Sequence, residues 1–158
     1  MNADPSSSDK MRAASKGGSS STNSGVAPRR ARILVLEDEP SMGRALVRWL
    51  RDYDVVHCTK LADALDRIRR GERFELVVCD VMMPGGNAPD VHAALLREAP
   101  ALARHMLFMT GGATTPETIA FVAANAARIV SKPLDLRELR ARIAELLAEL
   151  DAEAASRA

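Results

Sequence analysis

From residue 31 onward, short apolar runs alternate with longer segments whose apolar positions recur at helical spacing. Ile33, Leu34, Val35 and Leu36 are apolar at consecutive positions, as in a strand covered on both faces. Behind them Met42, Ala45, Leu46, Trp49 and Leu50 return every three or four residues, which predicts a helix. The alternation continues with a strand over 54–58 and a helix carrying Leu61, Ala64, Leu65 and Ile68 that stops near Gly71. A third strand over 74–79, written FELVVC, is apolar enough to be central. A short helix over 90–98 ends before Pro100, and a fourth strand follows over 105–109. Pro116 suits the first position of a helix running toward Asn125, and residues 129–131 make a short fifth strand. The final helix, 135–150, places Leu136, Leu139, Ile143, Leu146, Leu147 and Leu150 on one stripe.

Five strand–helix units with right-handed crossovers wind most economically into an α/β, flavodoxin-like three-layer sandwich. The expected parallel sheet has the order 2-1-3-4-5, with helices on both faces. Residues 1–30 break the pattern. They are rich in Ser, Gly, Asn and Ala with almost no large apolar side chain, so they cannot offset the entropy of ordering. The expected organisation is a disordered tail over 1–30, one domain over 31–150 and a flexible tail over 151–158. The basic pair Arg29 and Arg30 has an interaction role as its alternative reading.

In such a sheet, ligands bind outside the carboxyl ends of the strands at the switch point between strands 1 and 3. Glu37, Asp38 and Glu39 follow strand 1, Asp80 follows strand 3, Thr110 follows strand 4 and Lys132 follows strand 5. Carboxylates crowded together need a compensating cation, and hard oxygen ligands suit Mg²⁺. Asp38 and Asp80 are the candidate direct ligands. Asp80 also reads as a carboxylate nucleophile toward a phosphoryl group, with the Lys132 ammonium and the Thr110 hydroxyl stabilising phosphoryl oxygens.

Composition narrows the partners. Lys and Arg number 22 against 21 Asp and Glu, a balance that argues against a nucleic-acid partner. No apolar stretch approaches the ~20 residues of a membrane span, and the N-terminus lacks a secretory apolar core, so the expected location is cytoplasmic and off the membrane. Cys58 and Cys79 lie inside apolar runs and read as buried reduced thiols. His57, His92 and His105 lie apart, without ligand spacing.

The motifs LVLEDEP, CDVMMP, MTGG and SKP, in that order, resemble the receiver domain of two-component response regulators over about 31–150. MTGGATTPE further resembles the loop of receivers attached to hybrid histidine kinases. The resemblance implies Mg²⁺-dependent phosphorylation of Asp80 by a histidine kinase or histidine phosphotransfer protein, then slow self-hydrolysis. It implies a signalling domain rather than a turnover enzyme. By the same match, Asp38 corresponds to a direct metal ligand and Glu37 to the acid that reaches the ion through water. Met82 corresponds to the residue whose backbone carbonyl binds the metal.

Three departures stand out. Glu37 occupies a position usually held by Asp, Ile129 replaces an often aromatic residue, and the loop PGGNAPD is rich in Gly and Pro. With only a short tail expected after 150, the reading is a stand-alone phosphoacceptor receiver acting through an unknown downstream protein. Its alternative is a phosphorylation-independent pseudo-receiver that binds proteins. A phosphatase with an aspartate nucleophile would want a second acid where Met82 stands. Phe121 falls off the face of Ile119, Val122 and Ala123, which offers it to an exposed patch, and Met82 with Met83 reads either as a surface pair or as local gap filling.

Overall fold

The computed structural model describes residues 29–158. Five parallel strands form one sheet in the order β2-β1-β3-β4-β5. They are β1 (Arg32–Leu36), β2 (Asp54–Cys58), β3 (Leu76–Asp80), β4 (Met106–Thr110) and β5 (Ile129–Ser131). The helices between and after them are α1 (Pro40–Trp49), α2 (Leu61–Arg69), α3 (Ala88–Glu98), α4 (Pro100–Ala103), α5 (Pro116–Ala124) and α6 (Leu136–Ser156).

Alternation along each strand divides the interior in two. Leu34, Leu36, Val77, Cys79, Met106 and Phe108 face the layer of α2, α3, α4 and α5. Ile33, Val35, Leu76, Val78, Leu107, Met109 and Val130 face α1 and α6, where they meet Leu46, Leu50, Leu139, Ile143 and Leu146. Every residue of β3 is buried, which accounts for its unbroken apolar run. Apolar burial on both faces fixes the register, and the register brings the ends of β1 and β3 together, Leu36 pairing with Cys79.

Local chemistry sets the helix starts. Proline opens α1, α4 and α5, where its missing N–H costs nothing. The Asp90 carboxylate accepts from the Asn87 backbone N–H at 3.1 Å, so α3 starts at Ala88 rather than at 90. The Thr115 hydroxyl accepts from the Thr118 N–H, and the Asp135 carboxylate accepts from the N–H groups of Arg137 and Glu138.

Several expectations are corrected. Strand 3 begins at Leu76, because the half-buried Phe74 instead lies under the Arg32 guanidinium, 4.9 Å from the ring centroid. Strand 4 is shifted by one residue and includes Thr110, which pairs with Ser131. Pro100 starts the extra short helix α4 instead of merely ending α3. The last helix does not stop at 150. It runs to Ser156, since Asp151 to Ser156 contains good helix formers and neither Gly nor Pro, so most of the segment expected to be a flexible tail is exposed helix. Phe121 packs inward, edge-on to Phe108 at 4.9 Å and to His92 at 5.9 Å, while Ile119 is the exposed residue. Met83 is buried and Met82 partly so, which favours the gap-filling role.

The expected tail over 1–30 lies outside the described residues up to position 28. Arg29 is paired with Glu75, and Arg30 donates to the Arg51 carbonyl at 3.2 Å. Among the described residues, no helix is long and apolar enough to cross a membrane.

Candidate functional site

Three carboxylates meet at the carboxyl edge of β1 and β3. One oxygen from each of Glu37, Asp38 and Asp80 lies within 4.8 Å of the others. Glu37 and Asp80 are buried, whereas Asp38 is partly exposed. From the end of β5, the Lys132 ammonium reaches both buried acids, donating to Asp80 Oδ2 at 3.0 Å and to Glu37 Oε2 at 3.1 Å. The remaining oxygens are held by backbone: Asp80 Oδ1 accepts from the Met82 N–H and Glu37 Oε1 from the Glu39 N–H, both at 3.2 Å.

These contacts set the electrostatics. Burial raises the Glu37 carboxyl above the usual glutamate range and the charge of Asp80 adds to the rise, while the Glu39 N–H and Lys132 oppose it. Burial by itself would lower the Lys132 ammonium, but its bonds to Asp80 and Glu37 and their charges outweigh that cost and hold it above the usual lysine range. The set is oxygen-only, anionic and partly open, so it could chelate a hard divalent cation. Cys79 beside it is fully buried, and burial pushes its thiol well above the ordinary range.

The predicted residues are therefore brought to one edge, with two refinements. Thr110 ends β4 beside the pairing of Asp80 with Met109, and its hydroxyl accepts from the Gly112 N–H at 3.1 Å. Its carbonyl accepts from the Lys132 N–H at 2.7 Å, which ties the β4 and β5 ends together ahead of a cis Lys132–Pro133 peptide. At Met82, the observed contact is the amide on Asp80. Glu39 is exposed, and its side chain accepts from Ser41.

Sequence reasoning missed His57, whose Nε2 lies 2.8 Å from the Glu37 backbone carbonyl, and Gly43, the α1 residue against which the His57 ring packs. The available signal was a glycine inside the amphipathic helical pattern of α1.

The chain matches the response regulator receiver domain family over residues 33–144. It is 32% identical over 118 residues to the response regulator receiver protein CpdR of Brucella abortus (strain 2308), an alignment covering 73% of this chain and 96% of CpdR. It is 34% identical over 117 residues to the transcriptional regulatory protein TcrA of Mycobacterium tuberculosis (strain ATCC 25618 / H37Rv), covering 73% of this chain and 45% of TcrA. The chain thus spans about half the length of that second relative. Among solved structures, the non-phosphorylated HemR receiver domain from Leptospira biflexa superposes with a TM-score of 0.60 at 28% identity, covering 74% of this chain and 94% of that one. The family match runs from β1 into α6 and takes in every strand that carries a site residue: the chain belongs to the response regulator receiver domain family.

Proposed function

We propose that the chain is a phosphoacceptor receiver that takes a phosphoryl group onto Asp80 from a histidine kinase or a histidine phosphotransfer protein. The reading rests on Lys132, which comes from β5 to within 3.0 Å of Asp80 and 3.1 Å of Glu37 and so supplies a cation where phosphoryl charge would arrive. An Asp80 carboxylate oxygen attacks phosphorus, the P–N bond to the donor imidazole breaks, and that nitrogen keeps the bonding pair. The product is an acyl phosphate on Asp80.

Asp38 and Asp80 would offer carboxylate oxygens to Mg²⁺, and by the family resemblance Glu37 would meet it through water and Met82 through its backbone carbonyl. When bound, it supplies positive charge shared between the acids and the phosphoryl oxygens. Lys132 exchanges its bond to Asp80 Oδ2 for a phosphoryl oxygen. Thr110, whose hydroxyl hydrogen is not used in accepting from Gly112, donates to another.

The added charge of roughly −2 shifts α5 and β5 between two populations that a downstream protein distinguishes. With Ile129 at the start of β5, that shift proceeds without an aromatic ring turning at this position.

Incubation with acetyl phosphate and Mg²⁺ tests the assignment by intact-mass spectrometry. The expected result is gain of one phosphoryl group by the wild-type chain and none by Asp80→Ala. Equal gain by the variant overturns the assignment. No gain by the wild type, with a partner protein still bound, favours the phosphorylation-independent binding module.

A further inference from the structure

One side chain outside the acid, lysine and threonine set is built into the same edge. His57 belongs to β2, where it pairs in register with Val35 of β1. Its Nε2 lies 2.8 Å from the carbonyl oxygen of Glu37. A carbonyl oxygen only accepts, so the ring carries its hydrogen on Nε2. The Glu37 N–H is already used, donating to the Cys58 carbonyl at 3.2 Å as the last rung between the ends of β1 and β2. β2 ends at Cys58, and His57 takes the place of the strand amide that would have come next.

The other side of the ring is fixed as well. Gly43 is buried in α1, and a Cβ there would fall within the His57 ring. Glycine weakens a helix interior, and here it lets the imidazole lie directly against the backbone of α1. The ring thus joins the helix after the acidic segment to the carbonyl at the start of that segment.

Resting on the reading of Glu37, Asp38 and Asp80 as a metal-binding set, we propose that His57 is a positioning residue for that set. Its bond fixes the plane of the peptide that joins Glu37 to Asp38. The carbonyl of that peptide belongs to one acid and its N–H to the other, so rotation of the plane would displace both carboxylates. His57 touches neither carboxylate and acts through the backbone alone.

Two variants test this. His57→Val supplies a β-branched strand former without a donor, and His57→Gln keeps a side-chain N–H. In metal-free protein, amide exchange at Glu37 and Glu39, whose N–H groups donate to the Cys58 carbonyl and to Glu37 Oε1, should rise about tenfold in His57→Val, with β3 amides unchanged and His57→Gln restoring most protection. Unchanged exchange at Glu37 and Glu39 overturns the proposal, as does an equal rise across β3, which would signal only lost stability. Titration with Mn²⁺ alone, followed by electron paramagnetic resonance, should show roughly tenfold weaker binding in His57→Val, with His57→Gln closer to wild type. Equal Mn²⁺ affinity in wild type and His57→Val also overturns it. If the wild type takes up no Mn²⁺ while the exchange pattern holds, the metal reading fails and the anchoring of the loop by His57 stands.

Discussion

Replacing Lys132 with Met removes the ammonium while keeping an unbranched stem, and it leaves Glu37 and Asp80 buried with no cation between them. At an effective dielectric near 20, each of the contacts at 3.0 and 3.1 Å carries on the order of 5 kcal/mol of attraction. The loss of stability is smaller, because the site can escape by taking up a proton. At pH 7, protonating a carboxyl at the ordinary glutamate value of 4.5 costs about 3.4 kcal/mol, and burial already raises Glu37 toward the protonated form. The expected loss for Lys132→Met is therefore about 2–3 kcal/mol at pH 7. A carboxyl whose folded pKa is raised contributes stability that is fully present below its unfolded value and is lost as pH rises through the folded value. Without Lys132 the folded value of Glu37 rises further, and the window of loss extends upward from the ordinary value of 4.5. At pH 5 the same proton costs at most about 0.7 kcal/mol, so the difference between variant and wild type should shrink below about 1 kcal/mol. Urea unfolding of both proteins in chelator at pH 5 and pH 7 measures it. An equal loss at the two pH values, or none at pH 7, refutes the electrostatic account.

Phe121→Ala should lower stability by about 2–3 kcal/mol in urea unfolding, toward the low end for a phenylalanine because the ring is only partly buried; a change near zero would restore the exposed reading. Gly43→Ala should destabilise by about 1–3 kcal/mol through collision with the His57 ring, against the gain of about 0.5–1 kcal/mol that alanine normally brings to a helix interior. A higher unfolding midpoint would contradict the packing. Cys79 is fully buried with its thiol pushed above the usual range, so its alkylation by iodoacetamide should follow global unfolding. Labelling of the native protein at the rate of a free thiol would contradict that burial.

The sheet order was legible because both of its determinants are written locally. Consecutive apolar positions in β1 and β3 declare strands covered on two faces, and short βα connections leave few topologies open. The convergence of Asp38, Asp80, Thr110 and Lys132 follows from that order, since each stands at or just past a strand end. Helix faces were less legible. α5 reads Ile119, Ala120, Phe121, Val122, Ala123, Ala124, apolar nearly all round, so periodicity selects no side. The choice is made by Phe108 of β4 and His92 of α3, which meet Phe121, together with Thr118, whose hydroxyl is satisfied at the cap and can therefore be buried.

The Lys132 contacts and the His57 contact were illegible for a further reason. From the sequence, a lysine at the end of β5 is expected to meet an incoming phosphoryl group, whereas in the structure its ammonium answers the acids beside it. It does so by bridging Glu37 and Asp80, across separations of 95 and 52 residues. No local window contains that arrangement. β2 is an edge strand with only Cys58 fully buried, so periodicity leaves open where the half-buried His57 ring goes. Its destination depends on an unpaired carbonyl at the end of β1 and on the missing Cβ of Gly43 in α1. A glycine that weakens its own helix is intelligible only once the ring that needs the space is in view. The acidic loop is thus held from outside the motif that names it, and a chain keeping LVLEDEP but losing either His57 or Gly43 should keep the fold while losing the fixed pose of its first two acids.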